Sequence, residues 1–159
     1  MVTHSPHSRC FACGPENGSG LRLAFSLEPD RSVSCRFTPS TSFDSYPQVL
    51  HSGIVATFLD SAMAHCMFAQ GHTAYASEIT VRYLAPVLSG REVVVKGRFI
   101  RGRFPSCVLE ARLLQDGKCR ASAKGTYMKE PQVALGLSRS RSSKEEGGRA
   151  SATTGGDEA

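Results

Sequence analysis

The segment from His51 to Ala69, HSGIVATFLDSAMAHCMFA, restricts the fold more than any other part of the chain. Its apolar residues recur every three or four positions and cover well over half the circumference of the helix that this spacing predicts. A helix of this kind is buried inside a domain and is not laid on its surface. Asp60 lies at the border of the few polar positions, where a carboxylate requires a partner or a function.

Two β-rich runs precede the helix and four follow it. Residues 21–28 and 32–37 alternate apolar and polar side chains, and the turn formers between them predict an antiparallel hairpin. The four later runs, separated by Pro, Gly and Asp turns, are residues 74–84, 92–101, 106–114 and 119–128. This order predicts an α+β fold in which an antiparallel sheet of about six strands wraps around one long central helix.

The segments outside these runs set the boundaries of the domain. Residues 1–20 are rich in turn formers and are predicted to form an irregular N-terminal arm, and residues 38–50 are predicted to form a loop. Ser52 is the expected N-cap of the helix, which Gln70 and Gly71 end. The domain is expected to span residues 21–130, because residues 131–159 contain almost nothing apolar and are predicted to be disordered.

The net charge of +5 is concentrated in the part predicted to fold, since residues 1–129 hold 15 Lys and Arg against 9 Asp and Glu. A basic domain suits an anionic partner, such as nucleic acid or the phosphates of coenzyme A. Nucleic acid is not expected, because no recognition helix or aromatic RNA-binding motif accompanies the charge. The chain lacks an apolar run of about 18 residues and a secretory signal, which predicts a cytoplasmic protein without membrane contact and with free thiols.

Four segments of the chain resemble one known family. They are CFACGPENGSGL, YPQVLHSGIVATFLDSAM, ITVRYLAPVLSG and GKCRASAKGTYM, and together they cover about residues 10–128. The pattern is similar to that of hotdog-fold acyl-CoA thioesterases of the thioesterase superfamily, specifically those related to the phenylacetate-pathway thioesterase. The resemblance implies a hotdog fold, hydrolysis of an acyl-CoA thioester to the free acid and CoA, no cofactor, and a homodimer or dimer of dimers.

The resemblance also implies an active site at a dimer interface, where the helix start of one subunit faces the acid of the other. Asp60 matches the family's acid and is expected to act as a general base, or alternatively as a nucleophile that forms an anhydride. The backbone N–H groups of Ser52 and Gly53, at the positive end of the helix dipole, are expected to polarise the thioester carbonyl. His51 is expected to shape the turn before the helix and is the next candidate for the base.

The chain departs from the family pattern at three positions near the expected substrate. Ser52 stands where relatives often have the first glycine of a His-Gly-Gly sequence, and this change retains the backbone donor. Ser45 stands where some relatives have an asparagine, and Ala76, followed by Ser77, stands where some have Ser or Thr. The expected consequence is a modest rate or a different substrate.

Three arginines near a predicted hairpin end, Arg98, Arg101 and Arg103, are candidates for binding the phosphates of CoA. The guanidinium group suits phosphate because its donors form a fork that matches two oxygen atoms. The alternative is an ordinary solvated strand face, and the sequence does not decide between the two.

The arm carries a second pattern, in which His4, His7, Cys10 and Cys13 are each three residues apart. This spacing is compatible with a zinc site, which would then be structural. The alternative is a turn that contains two buried thiols. We expect the turn, so no metal is predicted.

Two classes of function remain. The chain is a thioesterase, or it is a non-catalytic hotdog module that binds an acyl thioester or a protein partner. The presence of Asp60 favours the enzyme. The departures at Ser45 and Ala76 favour the binding module.

Overall fold

The computed structural model describes residues 7–103 and 105–129, and it arranges them as an α-helix enclosed by β-strands. Most of the predicted domain and the last part of the predicted arm lie within these ranges. The tail predicted to be disordered, residues 131–159, lies outside them.

Helix α1 spans Ser52–Phe68, as its apolar periodicity predicts, and most of its side chains are buried. Its N-cap is His51, so the prediction of Ser52 was wrong by one residue. The reason is that the His51 side chain, through Nδ1, accepts the Gly53 N–H at 2.9 Å. Beyond the helix the chain turns at Gly71, whose φ of +76° favours glycine. Within the described ranges, no helix is both long enough and apolar enough to cross a membrane.

The strands of the described ranges form a six-stranded sheet and a small hairpin. In chain order they are β1 (Ser26–Leu27), β2 (Val33–Phe37), β3 (Asp44–Tyr46), β4 (Val49–Leu50), β5 (Ala74–Tyr83), β6 (Val93–Arg103), β7 (Ser106–Gln115) and β8 (Lys118–Lys129). The large sheet has the order β1-β2-β6-β7-β8-β5, and all of its neighbouring strands are antiparallel. The predicted α+β architecture of about six antiparallel strands around one helix is confirmed.

The structure differs from the prediction on either side of β2. The strand expected over residues 21–28 is reduced to β1, because the Leu21 and Leu23 N–H groups bind the Phe11 and Ala12 carbonyls of the arm instead of a neighbouring strand. Leu21, Leu23 and Phe25 are nevertheless buried, so the alternation identified the inward-facing side chains correctly. The loop predicted over residues 38–50 contains the β3–β4 hairpin.

The core lies between α1 and the face of the sheet that it contacts. Alternate residues of the central strands are buried on that face, for example Val93 and Val95 of β6 and Leu109 and Leu113 of β7. Gly97 allows the closest approach, because a Cβ built there would lie 2.6 Å from the Ala62 carbonyl oxygen. The helix backbone therefore rests directly on β6 at this point.

We expect Gly97→Ala to lower the free energy of unfolding by about 1–3 kcal/mol, because the added methyl group must displace the helix backbone. Urea denaturation measures the change. Gly18→Ala is the matched control, since a Cβ at Gly18 meets nothing within 4 Å. Equal stability of the two variants would contradict direct packing of α1 on β6.

Candidate active site

Asp60 lies on α1 and is partly buried. The Tyr127 hydroxyl group, on β8, donates a hydrogen bond to Asp60 Oδ1 and lies 3.1 Å from the Asp60 carbonyl oxygen. Tyr127 is only 1% exposed, so it packs as a core residue while its hydroxyl group reaches the carboxylate. A buried tyrosine usually needs a partner for its hydroxyl group, and here Asp60 provides it.

The environment of Tyr127 keeps its hydroxyl group protonated. Burial raises the pKa of Tyr127 above its ordinary value, and the Asp60 carboxylate raises it further. The tyrosine is therefore a hydrogen-bond donor that fixes one carboxylate oxygen of Asp60, leaving the other oxygen for a further partner. The sequence does not single out Tyr127, because an aromatic side chain on a strand is ordinarily a core residue.

At the start of α1, one of the two backbone N–H groups expected to be open is already hydrogen-bonded. The Gly53 N–H, expected to be open, donates to His51 Nδ1 at 2.9 Å. Ser52 N–H has no acceptor among the described residues, and the Ser52 carbonyl oxygen accepts a hydrogen bond from the Tyr83 hydroxyl group at 3.1 Å. His51, Ser52 and Gly53 are all exposed. The helix start thus offers one open donor to solvent and a second that the imidazole covers.

Ala76 is brought to the Asp60 site by the pairing of β5 with β8. It is the cross-strand partner of Tyr127, on the side of the sheet that packs against the core. A bulge follows, so that Ser77 is displaced from the ladder and its hydroxyl group donates to the Thr126 carbonyl at 3.1 Å. Ser45 lies elsewhere, on β3, where its hydroxyl group donates to the Val49 carbonyl at 3.4 Å.

The three candidate arginines are exposed on β6 and are not gathered at Asp60. Arg98 forms an ion pair with its cross-strand neighbour Glu110, on the face of the sheet opposite the helix. Arg101 lies near Glu110 on that same face, and Arg103 is at the end of the strand. Within one chain, the sheet separates Arg98 and Arg101 from the carboxylate.

The arm approaches Asp60 through Cys13. Burial above all raises the pKa of the Cys13 thiol to about 12, with smaller contributions from Cys10 and from the Asp60 carboxylate. The thiol is therefore protonated near neutral pH and unsuited to nucleophilic attack. His7 and Cys10 lie beside it, whereas His4 is outside the described residues.

Comparison with known protein families agrees with the resemblance stated above. The thioesterase superfamily model matches residues 47–118, a range that contains α1 and Asp60. No curated protein sequence matches the chain significantly. Over these residues the chain is similar to the thioesterase superfamily, as its sequence patterns predict.

Three solved structures are similar to the described fold. A thioesterase superfamily protein has a TM-score of 0.69 at 19% identity over 74% of this chain, which spans only 61% of that protein. The E. coli PaaI protein from the phenylacetic acid degradation operon has a TM-score of 0.65 at 19% identity, covering 70% of this chain and 81% of that one. A Streptococcus mutans protein bound to acetyl-CoA has a TM-score of 0.63 at 16% identity, covering 68% and 88%. The predicted hotdog fold is confirmed.

Tyr127→Phe removes the hydrogen bond to Asp60 and keeps the buried ring. Since a hydrogen bond to a charged group is worth about 1.5–3 kcal/mol, we expect the free energy of unfolding to fall by about 1.5 kcal/mol. Urea denaturation at neutral pH checks this value. Tyr83→Phe is the control, because its exposed hydroxyl group binds only a backbone carbonyl and its loss should cost about 0.5 kcal/mol. Unchanged stability of Tyr127→Phe would show that the contact contributes nothing.

Proposed function

From the match of residues 47–118 to the thioesterase superfamily, we propose that this chain hydrolyses an acyl-CoA thioester to the free acid and CoA. The observation that carries the proposal is the carboxylate of Asp60, which the fold holds on a mostly apolar helix by a hydrogen bond from a buried tyrosine. A partly buried acid among apolar residues is a candidate for a catalytic group. The acetyl-CoA bound to the similar Streptococcus mutans protein supports CoA thioesters as the substrate class.

In the proposed reaction Asp60 acts as the general base. Its free oxygen takes a proton from water as the water oxygen attacks the thioester carbon, and the carbonyl oxygen becomes an oxyanion. When the tetrahedral intermediate collapses, the carbon–sulfur bond breaks. The proton held by Asp60 then passes to the CoA thiolate, which regenerates the carboxylate.

Tyr127 positions Asp60 for this step. Some relatives have a Ser or Thr at the position of Ala76, and Ala76 is the cross-strand partner of Tyr127. The tyrosine hydroxyl group reaches the carboxylate from the neighbouring strand and supplies a hydroxyl donor that Ala76 lacks. The departure at Ala76 is therefore compatible with catalysis.

The helix start supplies the donors for the oxyanion. Ser52 N–H is open to an incoming carbonyl, and it lies at the positive end of the helix dipole. Gly53 N–H becomes the second donor when the His51 ring rotates away, since only the imidazole covers it. Two backbone donors would then face the oxyanion, as in other acyl-transfer sites.

One chain cannot bring these groups to the same thioester. Asp60 follows Ser52 by eight helical residues, which separates them by about 12 Å along the helix axis. A carbonyl bound at the helix start is then out of hydrogen-bond reach of a water held by the same chain's Asp60. We therefore assign the donors and the base of each site to two different subunits.

Strand β5 is the natural place for the second subunit to join. It is a ten-residue strand at the end of the sheet, paired with β8 on one side only. An edge of this length is rarely left unpaired in a soluble protein. Exposed Tyr75 and Tyr83 on this strand provide apolar surface for the contact. In such a homodimer, Arg101 and Arg103 are the arginines best placed for CoA phosphates, because Arg98 is already paired with Glu110.

Asp60→Asn tests the base. The amide oxygen of asparagine still accepts the Tyr127 hydrogen bond, so we expect the fold and CoA binding to persist and kcat to fall by about 100-fold or more. Thiol release from short, medium, long and aryl acyl-CoA substrates gives the rate and identifies the preferred acyl group. Asp116→Asn, an exposed acid on the β7–β8 turn, is the control and should retain the wild-type rate.

Two results would change this assignment. A wild-type chain that binds acyl-CoA without releasing thiol would be the non-catalytic module. An Asp60→Asn variant with a normal rate would remove Asp60 from the mechanism and make His51 the next candidate. A single turnover in oxygen-18 water gives positive evidence for the anhydride route, since label in Asp60 arises when water attacks the Asp60 carbonyl of an anhydride and does not arise from a general base.

Mixing two inactive variants tests the shared site. Ser52→Pro removes the Ser52 N–H at the first helical position, where proline is well tolerated. We expect Ser52→Pro and Asp60→Asn each to be inactive alone. When the two variants are mixed and reassociated, about a quarter of wild-type activity should return, because half of the dimers contain one subunit of each variant and hold one intact site. Light scattering should give at least twice the chain mass of 17.1 kDa. A monomer, or a mixture that stays inactive while both variants are folded, would refute the shared site.

A further inference from the structure

The arm carries a cluster of metal-binding side chains that the proposed hydrolysis does not use. His7, Cys10 and Cys13 place one nitrogen and two sulfur atoms within 4.8 Å of one another, and all three residues are partly buried. Imidazole nitrogen and thiolate sulfur are the ligands that zinc prefers in proteins. We propose that these three residues bind a zinc ion, which displaces the thiol protons of Cys10 and Cys13 to solvent as the zinc–sulfur bonds form.

The distances in the cluster already suit coordination. A tetrahedral zinc ion with ordinary bond lengths holds a nitrogen and a sulfur ligand about 3.6 Å apart. His7 Nδ1 and Cys13 Sγ are 3.5 Å apart. This pair therefore needs almost no rearrangement to bind the ion. A thiol–imidazole hydrogen bond gives a similar distance without metal. Metal titration distinguishes such a hydrogen bond from a zinc site.

The backbone holds the two cysteines in a tight turn. Gly14 N–H donates to the Cys10 carbonyl at 2.8 Å, and Cys10 N–H donates to the His7 carbonyl at 3.0 Å. A Cβ on Gly14 would lie 2.4 Å from the Cys10 nitrogen and 2.5 Å from the Ser8 oxygen. Only glycine fits at this position, and the turn that it allows keeps the ligands together before any metal arrives. Preorganisation of this kind favours binding.

The neighbours of the cluster indicate what the ion would do. The His7 ring packs edge-on against Phe68 at the end of α1, with ring centres 4.6 Å apart. The segment after Cys10 binds the chain entering β1, through the Phe11 carbonyl and Leu21 N–H at 2.8 Å. An ion held by His7, Cys10 and Cys13 would fasten the arm to both the helix and the sheet. The role is therefore structural, and the described residues supply three of the four ligands of a tetrahedral ion.

Metal titration of the full chain tests the site. Reduced, metal-free protein is titrated with Zn²⁺, and with Co²⁺ as a probe whose charge-transfer absorption reports metal–thiolate bonds. We expect one ion per chain and a rise in melting temperature of about 5 °C or more under saturating Zn²⁺. Cys13→Ser should weaken binding by at least about 100-fold. Cys119→Ser is the matched control, since Cys119 lies outside the cluster and should bind Zn²⁺ as the wild type does.

A second variant distinguishes loss of the metal site from misfolding of Cys13→Ser. Cys13→His keeps a ligand atom, so it should still bind one ion but lose about half of the cobalt–thiolate absorption, because one of two thiolates is gone. The proposal is wrong if the reduced wild type binds Zn²⁺ no more tightly than Cys13→Ser. It is also wrong if Cys119→Ser loses the ion as readily as Cys13→Ser does. Acyl-CoA hydrolysis plays no part in these measurements, so their outcome is independent of the proposed function.

Discussion

The direct packing of α1 on the sheet is the contact on which the other features of the fold depend. A helix that is apolar on nearly all sides must be covered on nearly all sides, and a long antiparallel sheet that curves around it is an economical cover. The contact is close because Gly97 has no side chain where the helix backbone passes Ala62. This contact matters for function because it holds residues of α1 at fixed distances from residues of the strands.

Asp60 is a partly buried acid on a helix whose side chains are mostly apolar and buried. Removing a carboxylate from water costs free energy, and a hydrogen bond from a well-placed donor offsets part of that cost. Tyr127 is such a donor, because its ring is fixed in the core and its hydroxyl group stays protonated. The hydrogen bond from Tyr127 that stabilises the Asp60 carboxyl group also orients it. One side chain thus stabilises the acid and fixes its orientation, as the proposed role of Asp60 as general base requires.

Hydrophobic periodicity was sufficient to predict the helix, the long strands and the inward faces, because burial in the core is what periodicity reports. Periodicity was insufficient to predict which segment accepts the backbone hydrogen bonds of another. Leu21 and Leu23 alternate as strand residues do and are buried, yet their N–H groups bind the arm. His51 was not expected as a cap, since Ser, Thr, Asp and Asn are the common caps. Asp60 was identified because its charge contradicts the apolar pattern, whereas Tyr127 agrees with the pattern and gives no such signal.

Three parts of the chain that are distant in sequence meet on one side of α1. Asp60 faces Tyr127 on β8, β5 forms the adjacent edge of the sheet, and the arm comes close enough for the Asp60 charge to raise the pKa of Cys13. In the proposed homodimer, a second subunit paired along β5 would lie next to these groups, and the exclusion of bulk water there would strengthen the electrostatic effects of the proposed reaction. The space for the proposed acyl group would then depend on how the partner packs, since the core already fixes the position of α1.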